Sequence, residues 1–324
     1  MSLVKDQTPG IFVFNGDADG LCATHQLRLS GIPCKQTVTG VKRDISLLKK
    51  IKQVQSECIY VLGVAVEKNL AELESLLSQD CNVTWFDHHL SREIPVHPAF
   101  SPQIDTDANT NTSLLVSQAL KHEFVTWAIV GLFGDNLHDT AKQVANAHGL
   151  GASEQAQLKE LGELINYNAY GGTLDDLHFH PADLLEQISP FEDPFAFLKA
   201  TTIMPALREG REGDLAFARQ AERLHPGVIR FPNEQWARRV VGIYANRLAQ
   251  ANPKQAHAVV VASENEGYVV SVRSALNGKQ SAAELCSQFA TGGGRVRAAG
   301  INHLPEADLL KFISEFQRFY GDDS

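Results

Sequence analysis

The sequence predicts an α/β fold, a parallel-sheet domain followed by a smaller α+β domain, with a cleft between them. Two patterns predict it. Over residues 11–132, short apolar runs alternate with helix-forming segments, and alternating β and α argues a parallel sheet with right-handed crossovers. Near the C-terminus the pattern changes to a hairpin, a glycine run and two helices. The length agrees: 324 residues exceed one ordinary core and fit two domains.

The first apolar run, Ile11–Phe14, reads as a buried strand. Asn15-Gly16-Asp17-Ala18-Asp19-Gly20 follows, with glycines placed for a tight turn, and Leu21–Leu29 reads as a helix closed by Gly31 and Pro33. Val41–Ile51 reads as helical. Cys58–Leu62 is the next strand, running into Gly63, and a helix carrying Leu70, Leu73, Leu76 and Leu77 comes after it. Val83–Phe86, β-branched and aromatic throughout, is a strand that ends directly on Asp87-His88-His89. Asn111–Leu120 is a helix opened by good capping residues. Trp127–Leu132 is a fourth apolar run, taken as a strand, and Gly134-Asp135-Asn136 follows it.

Three of the four runs therefore end in Asp; only the run ending at Gly63 does not. In open parallel sheets the ligand site lies off the carboxyl ends of the strands, so these acids are expected to converge. Converging carboxylates repel unless a cation lies between them. A carboxylate beside two imidazoles suits Mn²⁺, Zn²⁺ or Fe²⁺ better than Ca²⁺. The competing explanation makes each Asp an N-cap for the next helix.

Residues 149–170, 207–224 and 233–251 are helix-forming. Residues 171–193 are looser, and no low-complexity tract marks a boundary. The expected division is 1–190 for the first domain, 191–250 for a helical connector and 251–324 for the second domain. There, His257–Ala262 and Tyr268–Val272 read as a hairpin about Glu264-Asn265-Glu266-Gly267. Ser281–Phe289 and Glu306–Phe319 read as helices. Between them, Gly292-Gly293-Gly294-Arg295 offers unshielded backbone N–H groups beside guanidinium, a setting for phosphate. Five Lys or Arg against three Glu make residues 252–304 locally basic. The match to GxGxxG is imperfect and late in the chain, which argues against a dinucleotide fold.

Composition narrows the classes. A net charge of −9 disfavours wrapping duplex DNA, while leaving room for a nucleotide in a basic pocket. Five scattered cysteines without a CxxC pair read as reduced thiols in cytoplasm. No leader or spanning run of about 18 apolar residues is visible, so no membrane partner is expected.

These residues resemble the DHH phosphoesterases with a C-terminal DHHA1 domain, a family of RecJ-type exonucleases, nano-RNases, cyclic-dinucleotide phosphodiesterases and exopolyphosphatases. Asn15–Gly20 looks like the first motif, Asp87-His88-His89 the naming motif, and Gly134-Asp135-Asn136 the fourth. Ser271-Val272-Arg273-Ser274 and the Gly292–Arg295 run with Ala298-Ala299-Gly300 look like the DHHA1 motifs. The resemblance implies a parallel-sheet DHH domain and one or two Mn²⁺ (or Mg²⁺) ions activating water against phosphorus. It implies metal ligands among Asn15, Asp17, Asp19, Asp87, His88 and Asp135. Asp87, His88 and His89 would be catalytic, and Ser271, Arg273, Ser274, Gly292, Gly293, Gly294 and Arg295 would bind substrate.

Three positions depart from the family pattern: Asn15 replaces a His, Gly63 replaces a metal-bridging Asp, and Arg295 replaces a His. Asp44, Glu67, Asp105 or Asp107 are the acids available to compensate for Gly63. The implied activity is hydrolysis of a small nucleotide, a short oligonucleotide or a related phosphoester. The alternative is a DHH-fold protein that binds nucleotide or single-stranded nucleic acid without efficient hydrolysis. A homodimer is left open.

Overall fold

In the computed structural model the described residues are 8–263, 266–276, 278 and 280–321. The chain divides into two compact units, Met1–Arg208 and Glu209–Ser324. In the first, β1 (Gly10–Asn15) leads to α1 (Ala18–Leu29), β2 (Cys34–Gly40), β3 (Cys58–Leu62), α2 (Leu70–Ser78), β4 (Asn82–Asp87) and β5 (Phe100–Ile104). Helices α3 (Thr112–Ala119), α4 (Val125–Gly134), α5 (His138–Ala147), α6 (Ala152–Ala169), α7 (Pro181–Ile188), α8 (Pro194–Ala200) and α9 (Ile203–Arg219) follow. The second unit takes the end of α9 and then β6 (Glu222–His225), β7 (Val228–Phe231), α10 (Gln235–Ala251), β8 (His257–Ser263), β9 (Gly267–Arg273), α11 (Ala282–Cys286), β10 (Gly292–Gly294), β11 (Ala298–Pro305) and α12 (Leu309–Tyr320).

The first sheet has five parallel strands in the order β2-β1-β3-β4-β5. Strand order reverses at β1, so the switch point falls off the carboxyl ends of β1 and β3, where the chain places Asn15–Asp19 and Gly63. β1 is buried along its whole length. One core cluster joins Val13, Val61, Val83 and Trp85 from the sheet to Leu73 and Leu77 of α2.

Several elements differ from the sequence reading. Trp127–Leu132 is helical, inside α4, which packs against α1, α3 and α6. A helix buried on all sides has no polar face, so its residues run apolar without a 3.6 period and mimic a buried strand. Its close packing needs glycine: a Cβ at Gly134 would stand 2.4 Å from the Ala18 Cβ. Residues 41–51, read as helical, carry only a single short turn at Leu47–Lys50. β2 and β5 were not foreseen.

The second sheet is mixed, in the order β10-β11-β9-β8-β7-β6, with only β7 and β8 parallel. Residues 222–231, inside the stretch expected to be a helical connector, are its strands β6 and β7. β8 and β9 pair antiparallel as the hairpin reading requires, though Glu264 and Asn265 of its turn lie outside the described residues. Phe312 and Phe316 of α12 cover this sheet together with Leu285 of α11.

All five cysteines are free. Cys22 on α1 and Cys286 on α11 are fully buried, and burial pushes both thiols up, Cys22 well above its usual range and Cys286 to about 12. Among the described residues no helix is long and apolar enough to cross a membrane.

Candidate functional site

Four segments meet at the switch point. The turn after β1 supplies Asp17 and Asp19, the end of β4 supplies Asp87 and His88, and the end of α4 supplies Asp135. Asp135 thus arrives from a helix terminus rather than from a strand end. Between these come Asn111, Thr112 and Ser113 at the start of α3.

Asp17 is the N-cap of α1, its Oδ1 accepting from the Gly20 N–H at 3.0 Å. The capping explanation therefore holds for this residue, but its second oxygen does something else: Oδ2 lies 2.6 Å from Lys42 Nζ. Asp19 accepts the Ser113 and Thr112 N–H groups, at 2.6 and 3.0 Å, and so anchors the N-terminus of α3. Asn111 caps α3 through its Oδ1, and its Nδ2 donates to Asp135 Oδ2 at 3.3 Å.

Asp19, His88 and Asp135 form the one group of metal-type donors among the described residues, each offering an atom within 4.8 Å of the others. His88 Nε2 is 3.9 Å from Asp19 Oδ2. Two donors each bound at ~2.1 Å to one ion stand at most ~4.2 Å apart, so a small side-chain rotation closes the trio on an ion. Two carboxylate oxygens with one imidazole fit a divalent ion such as Mn²⁺. Asp87 is wholly buried; His89 Nδ1 pairs with its Oδ1 at 2.7 Å, and its Oδ2 has no hydrogen-bond partner.

The electrostatics match a site short of positive charge. Burial, reinforced by Asp135 and Asp17, pushes the Asp19 carboxyl from 3.8 up to about 6. Burial would also raise Asp135, but the Lys42 ammonium and His88 outweigh it and hold that carboxyl below its usual range. Burial opposes the charge on Lys42; Asp17 and Asp135 more than offset this and keep its ammonium well above the usual lysine range. The hydrogen bond to Asp87 raises His89.

Not every expected ligand joins the trio. Asn15 donates its amide to the Lys42 carbonyl at 3.0 Å and accepts from the Asp17 N–H at 3.3 Å, which uses both ends of the side chain inside the protein. Asp44 pairs with Lys50, and Glu67, Asp105 and Asp107 are exposed; none of them compensates for Gly63. Gly63 has φ +66°, and a Cβ there would point at Thr112 Oγ1, Gly20 and Asn15 at 3.5–3.8 Å, into the site. Sequence reasoning does not find Lys42, because residues 41–51 read as helical, nor Asn166, which lies on a correctly read helix and carries no motif. Thr37, Val38 and Thr39 just before residues 41–51 were the available strand signal, and a strand there would have placed Lys42 beside its carboxyl end.

In the second unit, Arg273 and Ser274 line a pocket of about 460 Å³ together with Asn246, Gln250, Leu276 and Arg297. Arg273 donates to Asn246 Oδ1 at 2.7 Å and to Ser271 Oγ at 3.0 Å. Gly292–Gly294 do not form an open cradle. They are the edge strand β10, paired with Ala299–Ile301. A Cβ at Gly292 would stand 1.8 Å from the Cys286 carbonyl oxygen, so close approach explains this glycine. Arg295 follows at the turn into β11, its N–H donating to the Ala298 carbonyl at 2.8 Å, and it does not line the pocket.

Residues 224–322 match the DHHA1 domain family. A search of the curated proteins finds no match. Among solved structures the chain is similar to exonuclease RecJ bound to manganese, at 17% identity and a TM-score of 0.56, covering 98% of this chain and 91% of that one. It is similar to PggH, a pGpG-specific phosphodiesterase from Vibrio cholerae, at 14% identity and a TM-score of 0.57, covering 97% and 100%. It is also similar to an exopolyphosphatase-related protein from Bacteroides fragilis, at 12% identity and a TM-score of 0.51, covering 98% and 92%. Residues 224–322 thus match the DHHA1 domain family, and over nearly its whole length the chain shares the fold of exonuclease RecJ and of PggH.

Proposed function

We propose that this protein is a metal-dependent phosphoesterase acting on a small nucleotide, a short oligonucleotide or a related phosphoester. The observation that carries the reading is the convergence of Asp19, His88 and Asp135 from three distant segments at the switch point of the sheet. The likeness to a manganese-bound exonuclease and to a dinucleotide phosphodiesterase supports Mn²⁺ and a nucleotide-like substrate.

Asp19, His88 and Asp135 would hold the ion. A divalent ion in such a setting polarises a phosphoryl oxygen and acidifies water. The chain's own groups do the rest. Asp87, buried and hydrogen-bonded to His89, fixes that imidazole with its Nδ1 on the carboxylate, leaving Nε2 to exchange a proton with solvent or substrate. Lys42 pairs with both Asp17 and Asp135 and offsets one of their two charges. Arg273, Arg297 and Ser274 offer donors suited to a phosphate in the second unit's pocket.

A second reading, a nucleotide-binding protein without efficient hydrolysis, is favoured by Gly63, which supplies no ligand, and by the engagement of Asp17 with Lys42. Hydrolysis of bis(p-nitrophenyl) phosphate with and without Mn²⁺ decides between them. The enzyme reading expects Mn²⁺ stimulation that falls by more than about 100-fold in His88→Ala or Asp87→Ala. Background rates in wild type, with retained dinucleotide binding, establish the second reading instead.

A further inference from the structure

Lys42 stands at the centre of the site, and its surroundings are built for it. Its ammonium has three donors and meets three acceptors: Asp17 Oδ2 at 2.6 Å, Asp135 Oδ1 at 3.0 Å and Asn166 Oδ1 at 3.1 Å. Its backbone is tied at both polar groups, the N–H donating to the Ala169 carbonyl at 2.9 Å and the C=O accepting from Asn15 Nδ2 at 3.0 Å. The start of α1, the end of α4 and α6 thus converge on the lysine side chain, while β1 and α6 hold its backbone.

We propose that the Lys42 ammonium is a resident cation of the centre, occupying Asp17 and one oxygen of Asp135, so that the folded chain takes a single divalent ion, at Asp19, His88 and Asp135. The inference rests on the metal-site reading above and narrows one or two ions to one. Charge supports it. Asp17, Asp19 and Asp135 carry three negative charges, Lys42 returns one, and one divalent ion neutralises the remainder; Asp87 is matched separately by His89. A second divalent ion would leave excess positive charge in a buried site, a costly state. Donor supply agrees. The Oδ2 of Asp17 already faces a cation, the Lys42 ammonium, which a second metal ion would have to displace, and position 63, whose side chain would point between Asn15, Gly20 and Thr112, has no donor to give. Asn15, which the motif resemblance makes a ligand, is by this account a positioning residue for Lys42.

The test is the Mn²⁺ content of the full chain after equilibrium dialysis, measured by mass spectrometry, with an electron paramagnetic resonance spectrum of the same samples. Wild type is expected to hold one Mn²⁺ per chain, with the spectrum of an isolated ion. Lys42→Met, which keeps the apolar stem and removes the charge, is expected to rise above one, because Asp17 and one oxygen of Asp135 are released. Lys42→Gln, which retains a donor without charge, serves if Lys42→Met does not fold. Two ions in wild type, or exchange coupling in its spectrum, overturn the proposal without any variant. An unchanged single ion in both variants overturns the role of Lys42 while leaving the metal site standing. No ion in wild type at saturating Mn²⁺ overturns the metal-site reading itself, and this inference with it.

Discussion

At the scale of single residues, Asp19 carries the most consequence. Its carboxyl is raised to about 6 by burial and by its acidic neighbours, while it also anchors the first N–H groups of α3. A carboxyl raised in the fold favours the folded state below the unfolded value near 3.8 and loses that contribution as pH rises through about 6. In metal-free protein, wild type should therefore lose stability relative to Asp19→Asn between pH 4 and pH 7, an interval bracketing those two values. A bound cation needs the ionised form, so Mn²⁺ affinity should fall as pH drops through about 6. Thermal melts of the two proteins across this range, with and without Mn²⁺, check both slopes. A parallel pair of metal-free curves would show that Asp19 titrates normally.

At the scale of elements, the position of α4 sets the position of Asp135. Gly134 lies against Ala18 at the start of α1, with room for no Cβ. Gly134→Ala should cost roughly 1–3 kcal/mol by overpacking and weaken Mn²⁺ binding, since the neighbouring Asp135 is pushed away from Asp19. Gly213→Ala on α9 meets nothing within 4 Å and should be neutral or stabilising, by up to ~1 kcal/mol from helix propensity. Denaturant unfolding paired with Mn²⁺ titration separates the two.

The same elements explain what was legible in the sequence. β1, β3 and β4 were readable because central parallel strands are buried on both faces and must be apolar. β2 and β5 are the two edges of that sheet, and edge strands tolerate Lys35, Gln36 and Pro102. α4 was misread for the opposite reason, being apolar on every side. Asp19, His88 and Asp135 were found because each belongs to a short polar motif that directly follows an apolar run. Lys42 was not, because what identifies it is three side-chain partners, Asp17, Asp135 and Asn166, distant in sequence. The Gly292–Gly294 run shows a further limit: glycine placed for close packing and glycine placed for anion binding read alike.

At the scale of the whole molecule, each unit has its own sheet and its own core. An ion held at Asp19, His88 and Asp135 ties three segments of the first unit only. At about 100 times its dissociation constant it adds ~2.7 kcal/mol to the state that binds it. Hydrogen exchange with and without Mn²⁺ should therefore slow in α1, the end of β4, α3 and the end of α4, and stay unchanged in β8 and β9. Protection spread evenly over both sheets would contradict a site confined to the first unit.

The two sealed thiols, Cys22 in the first unit and Cys286 in the second, have one more use. Each is inaccessible and held protonated while its surroundings are closed, so neither reacts with an alkylating reagent until the fold around it opens. The chain is thereby equipped with a native clock in each half. Peptide-resolved alkylation would time the breathing of one against the other, and report whether metal slows only the first.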